Sequence, residues 1–264
     1  MPFTPFYIII YVMLKEIKKI EDLSLNAWPS HQMQVYDGWI LRFSYFYTHR
    51  TNCVEQIGPS ILPLEEKISY CEEIYRYWQT PCIFKISPVG FPDLDPLLEA
   101  RGYEIEHATQ VMVRSLVDLS PTAHPAEPYP LTVRARTDAA WIDGLFCLKG
   151  GVSPIHRRIV PNMYAAIPKD EIAVAAYDGG TLIGTGLGIL DRDTVGIYAI
   201  HVRDDYRRRG LASGIVSRIL TEARKQGAAG AYLQVVSDNA PARQLYRRLG
   251  FRDSYRYYFR VRRL

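Results

Sequence analysis

Apolar and polar residues in the second half of the chain recur with two periods that alternate along the sequence. A period of two is typical of strands, and a period near 3.6 is typical of helices. The predicted strands are 131–136, 172–177, 181–190, 195–202, 231–236 and 251–261, and the predicted helices are 138–149, 155–167, 211–223 and 241–249. The order β-α-α-β-β-β-α-β-α-β predicts an α/β fold in which helices flank a mixed sheet.

The first half of the chain ends in a unit that is similar to the end of the second half. Residues 81–86 predict a strand, residues 95–100 a short helix that ends near Gly102, and residues 103–114 a pair of strands. When Gly102 is aligned with Gly250, Leu-Leu-Glu-Ala-Arg-Gly-Tyr matches Leu-Tyr-Arg-Arg-Leu-Gly-Phe. This repeat suggests an internal duplication, with chance similarity over a short match as the alternative.

The N-terminal segment is apolar over residues 3–14. A run of about 12 residues is shorter than the ~20 that span a bilayer, and it lacks the features of a secretory signal. The pattern from Met13 onward is that of an amphipathic helix. It favours the hypothesis that translation starts at Met13 and that residues 1–12 are a non-native extension. A short tail that touches a membrane surface is the alternative.

Residues 121–130 contain four prolines. Because proline breaks helices and cannot donate to a sheet, this segment predicts an extended linker. The predicted domains are therefore 13–120 and 131–264.

Composition and charge indicate a folded globular protein whose two halves differ in net charge. The 264 residues are enough for two domains, and 48% hydrophobic with 23% charged residues excludes disorder, collagen and coiled coil as the main architecture. Residues 1–129 carry 10 Lys/Arg and 16 Asp/Glu, a net charge of −6, whereas residues 130–264 carry 22 and 12, a net charge of +10. This asymmetry suggests that the second half binds an anionic ligand.

The four cysteines are widely scattered and form no Cys-x-x-Cys pair, which argues against a zinc ribbon or a redox motif. They are interpreted as reduced thiols of a cytoplasmic protein, and no metal is predicted.

The most informative segment is a strand that runs into a glycine-containing turn and then a helix, over residues 198–213. The turn reads Arg207-Arg208-Arg209-Gly210-Leu211-Ala212. Free N–H groups at a helix N-terminus attract phosphate, small residues let it approach the backbone, and arginines add positive charge. A tight turn beside solvated arginines is the alternative, because a short glycine motif is weak by itself.

Together with residues 239–251, this turn resembles the GNAT superfamily of acyl-CoA-dependent N-acetyltransferases. The hallmark (Gln/Arg)-x-x-Gly-x-(Gly/Ala) is matched from Arg207 to Ala212. The later pattern of Asn, small residues, Tyr and Leu-Gly-Phe is matched by Asn239, Ala240, Ala242, Tyr246, Leu249, Gly250 and Phe251. The resemblance covers about 131–261. It implies a GNAT fold, acetyl-CoA as cosubstrate, and direct transfer of the acetyl group to a primary amine of a small molecule or peptide.

The resemblance also implies roles for individual residues. Backbone groups of Ile200 and Val202 would bind the pantetheine arm and the acetyl carbonyl, and main-chain N–H groups from Arg208 to Ser213 would hold the pyrophosphate. The predicted cofactor-binding residues are Ile200, His201, Val202, Arg207, Arg208, Arg209, Gly210, Leu211, Ala212, Ser213, Asn239 and Tyr246.

Two of these residues have an alternative role within the fold. Asn239 would bond the pantetheine arm or cap a helix. Tyr246 would protonate the departing thiolate as a general acid, or simply pack against the sheet.

The general base is not settled by the sequence. Gln234 stands where the ribosomal-protein alanine acetyltransferases of this superfamily place a glutamate, and an amide cannot take up a proton at neutral pH. His201 is the alternative catalytic residue, since histidine titrates near neutrality, although its alternation with Ile200 and Val202 can turn it away from the substrate. Water relayed by backbone carbonyls is equally consistent with the residues.

The first half has no phosphate turn in residues 56–67, and Leu98 stands at the position of Tyr246. It is therefore predicted to be a degenerate GNAT-like domain that binds no acetyl-CoA, so that two tandem GNAT-like domains form the chain. Residues 39–54 are rich in aromatic and polar groups and either line a substrate cleft or belong to the core.

Two other function classes stay open. The C-terminal arginines alternate with aromatic residues, as in a nucleic-acid-binding surface: Arg252, Arg256, Arg260, Arg262 and Arg263. A non-catalytic acyl-CoA sensor is the other class. Because strand alternation and a basic cofactor site account for these arginines, neither nucleic acid nor a membrane is expected as a partner. The acceptor and the oligomeric state are left open.

Overall fold

The computed structural model describes residues 5–118 and 129–264. Its helices are α1 (Pro5–Ala27), α2 (Leu64–Tyr77), α3 (Leu94–Ala100), α4 (Ala139–Leu148), α5 (Pro154–Ala165), α6 (Leu211–Lys225) and α7 (Ala240–Arg248). Its strands are β1 (Gln32–Tyr36), β2 (Trp39–Phe43), β3 (Val54–Gln56), β4 (Cys82–Ile86), β5 (Glu104–Ser115), β6 (Leu131–Arg134), β7 (Asp170–Asp178), β8 (Thr181–Asp191), β9 (Thr194–Val202), β10 (Gly230–Val236) and β11 (Arg252–Arg262). Short 3-10 helices lie at His49–Thr51 and Asp204–Tyr206.

The second half follows the order expected from its hydrophobic periods, and the α/β class with a mixed sheet is confirmed. Helices lie on both faces of this part of the sheet. Alternate residues of β7 divide between the faces: Ile172 and Val174 pack in the cluster of α6, whereas Ala173 and Ala175 pack in the cluster of α4 and α5. The continuous apolar run of β7 therefore reflects a strand that is buried on both faces.

Two expectations about the first half are wrong. Residues 103–114 form the single strand β5 and not a pair, because the interruption at His107 is a local backbone irregularity with φ +50° and not a reversal of the chain. The helix expected to begin at Met13 begins at Pro5, since no capping residue or helix breaker stands between the apolar run and the amphipathic segment. The predicted linker falls on residues outside the described ranges, apart from Tyr129 and Pro130.

The two halves exchange their last strands within one sheet. The strand order is β1-β2-β3-β4-β11-β5-β10-β9-β8-β7-β6. Strand β5 of the first half pairs antiparallel with both β10 and β11 of the second half. Strand β11 in turn pairs antiparallel with β4 of the first half. Strand β11 of the second half therefore lies between two strands of the first half, and β5 of the first half lies between two strands of the second half.

A buried ionic network fixes α1 against the sheet. Lys85 on β4 lies 2.8 Å from Glu21 of α1 and 3.1 Å from Glu55 of β3. The Tyr255 hydroxyl of β11 donates to Glu21 at 2.5 Å. Because breaking a buried charge pair leaves an uncompensated charge, this network holds the C-terminal end of α1 in a defined position.

The C-terminal arginines are partly used inside the fold. Arg260 pairs with Asp95 at 2.7 Å, Arg262 with Glu72 at 3.1 Å, and Arg263 with Glu106 at 2.9 Å. These contacts join the basic second half to the acidic first half. They favour a structural role for these three side chains over an open stacking surface.

No helix within residues 5–118 or 129–264 is both long enough and apolar enough to cross a membrane.

Candidate active site

A cleft opens where β9 and β10 stop pairing. These two strands run parallel and are in register from Thr194 opposite Gly230 to Ile197 opposite Leu233. Beyond that point the strands have no register partners in each other, and the space between them is a cleft of about 760 Å³. The edges of β9 and β10 therefore supply unpaired backbone groups to an elongated site.

A bulge in β9 lies at the inner end of the cleft. The register with β8 shifts between Tyr198, which faces Leu187, and His201, which faces Thr185, and Ala199 has a φ of +49°. The Thr185 hydroxyl donates to the carbonyl oxygen of Ala199 at 3.0 Å and fixes the distorted strand. Bulges often lie beside active sites because they redirect side chains and backbone groups.

Gly186 explains how β8 accommodates this bulge. A Cβ atom at Gly186 would lie 2.8 Å from Cδ1 of Ile200 and 2.3 Å from Cγ2 of Ile215. A larger residue at this position would therefore force Ile200 and Ile215 to move.

The basic turn forms the outer wall of the cleft. Gly210 precedes α6 in the left-handed conformation, with φ +81°, and no side chain caps the helix. The backbone N–H groups from Arg208 to Ser213 have no acceptor within residues 5–118 and 129–264. They are the unsatisfied donors of a helix N-terminus, and they fit a phosphate group.

The three arginines of the turn differ in their surroundings. Arg207 pairs with Asp204 at 2.5 Å and lines the cleft. Arg208 lines the cleft and forms no ion pair with any carboxylate that the structure describes. Arg209 does not line the cleft; its guanidinium donates to the Tyr129 hydroxyl at 3.1 Å and lies 5.0 Å from the ring centre of Tyr206.

Helix α7 forms the opposite wall. Its first turn is capped by Asn239, whose Oδ1 accepts the Ala242 N–H at 3.2 Å. Tyr246 is half-buried and packs edge-on against Phe251, with ring centres 6.1 Å apart. Burial raises the pKa of Tyr246 to about 12, so its hydroxyl carries a proton at neutral pH. Within the described residues this hydroxyl makes no hydrogen bond.

A smaller cavity of about 170 Å³ meets the cleft at the bulge. The two share Arg50, Tyr198, Ala199, His201 and Gln234. The first half contributes to the walls of this cavity: Ser24, Ala27, Trp28, Tyr47, Thr48 and Arg50. The end of α1, which the Glu21–Lys85 pair positions, is part of this wall.

Gln234 lies at the junction of cleft and cavity. Its Oε1 accepts from Arg50 at 2.9 Å and from the Tyr257 hydroxyl at 2.6 Å. Its buried Nε2 has no hydrogen-bond partner among the described residues. The side chain is thus oriented by two donors, with its amide N–H groups left over for a ligand.

His201 also lies at this junction. Burial lowers the pKa of His201 to about 4, and the cations of Lys149 and Arg207 act in the same direction. The imidazole is therefore neutral at physiological pH and is a weak base.

We expect His201 to take up a proton with a midpoint near pH 4, and not near the ordinary value of ~6.5. The sign follows from burial, which disfavours the charged form, so the ring stays neutral from about pH 5 to 8. An NMR titration, with the His201→Gln variant used to assign the resonance, measures this midpoint. A His201 signal that titrates near pH 6.5 would contradict the expectation.

Of the twelve predicted cofactor-binding residues, the structure brings all except Arg209 to the cleft. Residues 39–54 divide between two environments, since Trp39 is fully buried in the core whereas Tyr47, Thr48 and Arg50 line the cavity. Trp28, Lys149 and Tyr164 also line the cavity and were not singled out from the sequence. These residues are far apart in the chain, and no motif around any of them predicts that they share a cavity.

No metal was predicted, and one group of side chains within the described ranges has the composition of a metal site. The ligand atoms of His49, Glu106 and His107 lie within 4.8 Å of one another. Glu106 is also paired with Arg263 and with His49 at 3.1 Å. This group lines neither the cleft nor the cavity.

Comparison with known proteins agrees with this geometry. Residues 15–260 match the family model described as "Probable histone acetyltransferase Rv0428c C-terminal". The chain belongs to this acetyltransferase family, within the GNAT superfamily. The predicted membership of the superfamily is thereby confirmed.

The relatives include proteins named for N-acetyl transfer. The "Uncharacterized N-acetyltransferase YobR" of Bacillus subtilis (strain 168) is 27% identical over 258 residues, which cover 95% of this chain and 100% of that protein. The ribosomal protein bS18-alanine N-acetyltransferase of Escherichia coli (strain K12) is 36% identical over 66 residues, 25% of this chain and 43% of that enzyme. The chain is an N-acetyltransferase of the GNAT type.

Solved structures share the fold at low sequence identity. A GCN5-related N-acetyltransferase from Kribbella flavida has a TM-score of 0.67 at 16% identity, over 93% of this chain and 94% of that one. A tandem GNAT protein from the clavulanic acid biosynthesis pathway has a TM-score of 0.63 at 16% identity, over 75% of this chain and 69% of that one. The predicted GNAT fold is confirmed.

Proposed function

We propose that this N-acetyltransferase binds one molecule of acetyl-CoA in the cleft between β9 and β10 and an amine acceptor in the adjoining cavity. The observation that carries the proposal is the run of unpaired N–H groups from Arg208 to Ser213 at the N-terminus of α6, beside Arg207 and Arg208. No Asp or Glu lines the described part of the cleft. A pyrophosphate is the part of the cosubstrate that fits such donors.

The rest of the cosubstrate extends from the turn toward the bulge. Backbone groups of Ile200 and Val202, on the part of β9 that no longer pairs with β10, bond the pantetheine arm. Asn239 can serve the same arm through Nδ2 while Oδ1 caps α7. In this arrangement the thioester lies at the junction of cleft and cavity.

The transfer is a direct attack. The neutral amine forms a bond to the acetyl carbonyl carbon, and the bond from that carbon to sulfur breaks. Tyr246 gives its proton to the departing thiolate and regains one from solvent. The amine loses a proton to water, because Gln234 cannot accept it and the lowered pKa of His201 makes the imidazole a weak base.

The predicted division into residues 13–120 and 131–264, with acetyl-CoA bound only by the latter, is part of this proposal. Leu98, at the position that corresponds to Tyr246, is fully buried in the core of the first half. A cytoplasmic location stays a prediction from the cysteine pattern.

Isothermal titration with acetyl-CoA and a thiol-release assay against a panel of amines test the proposal. We expect one molecule bound per chain and thiol release with at least one amine. Two bound molecules per chain would contradict the assignment to the second half. Tight binding without release on any amine would instead identify a non-catalytic acyl-CoA sensor.

A further inference from the structure

We propose that the acceptor is a small amine that also carries a carboxylate and an apolar side chain, as a free α-amino acid does. This inference rests on the proposed function, because it takes the cavity as the acceptor site. It is carried by the charges, the walls and the size of the cavity.

The charges of the cavity have one sign. Arg50 and Lys149 line it, and no Asp or Glu is among its described lining residues. The only side-chain hydrogen bond of Arg50 within the described ranges goes to the neutral oxygen of Gln234. Lys149 donates to the Tyr47 hydroxyl at 2.9 Å and forms no ion pair with a described carboxylate. Both cations are thus available to an anion.

This arrangement selects against cationic acceptors. A polyamine, an aminoglycoside or a lysine side chain would bring further positive charge beside Arg50 and Lys149, with no carboxylate among the described lining residues to pair with it. A carboxylate on the acceptor instead accepts charge-assisted hydrogen bonds from the same two groups. The carboxylate also distinguishes a free amino acid from the N-terminus of a protein.

The walls of the cavity are aromatic. Trp28 and Tyr164 meet edge-to-face with ring centres 4.9 Å apart, and Tyr47 lies 6.2 Å from Trp28. Leu145 and Leu187 complete the apolar surface. A volume of about 170 Å³ is close to that of an engineered cavity of roughly 150 Å³ that binds benzene. The site therefore fits one aromatic or branched aliphatic side chain.

The same cations explain how transfer proceeds without a carboxylate base. Nearby positive charge disfavours the ammonium form of a bound amine and lowers its pKa. The acceptor therefore binds with its nitrogen lone pair free, and no carboxylate is required at the position of Gln234. The amide orients the ligand and takes up no proton.

Calorimetry with the protein–CoA complex tests the inference without turnover. The matched ligands are N-acetylphenylalanine and N-acetylphenylalaninamide, which differ only in the carboxylate. We expect the acid to bind at least 10-fold more tightly than the amide, and Lys149→Gln to remove most of that difference with the affinity for CoA unchanged. Arg157→Gln is the control, because Arg157 pairs with Asp143 at 3.1 Å and does not line the cavity.

Equal binding of acid and amide, or binding of neither while CoA binds, would overturn the inference. A diamine acetylated with higher kcat/KM than phenylalanine would do the same. The binding of the acid and the amide is also measured without CoA. If CoA itself does not bind, the proposed function is overturned, and the comparison of the two ligands still tests the acceptor class. A preference for the acid in that case would still support the acceptor class.

Discussion

Gly210→Glu is expected to weaken acetyl-CoA binding by roughly 100-fold or more. The new side chain would enter the space in front of the α6 N-terminus and place a negative charge where the pyrophosphate binds. A hydrogen bond to a charged group contributes about 1.5–3 kcal/mol. The loss of two backbone hydrogen bonds to the pyrophosphate therefore corresponds to roughly 100-fold or more in affinity. Isothermal titration measures the change.

Gly210→Ala is the matched control for this experiment. A Cβ atom at Gly210 meets nothing within 4 Å, and the left-handed backbone is strained to the same extent in both variants. We therefore expect the alanine variant to stay within about 30-fold of the wild-type affinity, as left-handed strain alone costs about 1–2 kcal/mol. If the two variants bind acetyl-CoA equally well, the turn is not the phosphate site.

Tyr246→Phe is expected to lower kcat by about 10-fold or more while the affinity for acetyl-CoA changes little. A positioned general acid contributes typically about 10²–10⁴-fold, and it helps only as negative charge develops on sulfur. Burial raises the pKa of Tyr246 to about 12, so the hydroxyl is protonated at neutral pH. The phenylalanine ring preserves the contact with Phe251, so thermal stability should be nearly unchanged. Single-turnover acetyl transfer is the deciding measurement.

Tyr206→Phe provides a control from the same cleft. The Tyr206 hydroxyl already donates to Asp178 at 2.6 Å, so it is not free to protonate a leaving group. Removal of the Tyr206 hydroxyl should leave kcat within about 3-fold of wild type, because the general acid Tyr246 is still present in this variant. A Tyr246→Phe enzyme that matches Tyr206→Phe would favour protonation by solvent.

The cofactor side of the site could be predicted from the sequence because its parts are local. The strand, the turn and the helix that hold Arg207 to Ser213 are contiguous, and each has a pattern that depends on short-range geometry. Gly102 and Gly250, predicted as helix terminators, both have φ near +80°, as a C-terminal glycine requires.

The acceptor side could be predicted only in part, because its parts are far apart in the chain. Arg50 and Gln234 are 184 positions apart, and nothing in the local pattern around either one indicates the other. The bulge at Ala199 was also missed, since the surrounding residues keep the ordinary alternation of a strand. The partners of the strands could not be predicted for the same reason: periodicity indicates that β11 is a strand and that residues 103–114 are extended, but not which strands they pair with.

The exchange of β5 and β11 has a consequence for the biosynthesis of the chain. During translation, the first half leaves the ribosome before β11 has been synthesised. One edge of β4 therefore stays unpaired until residues 252–262 emerge. Because unpaired strand edges recruit other chains, this nascent sheet is exposed to misassembly for most of the time that the protein is being made. The sheet that the two halves share is therefore complete only after residues 252–262 have been synthesised.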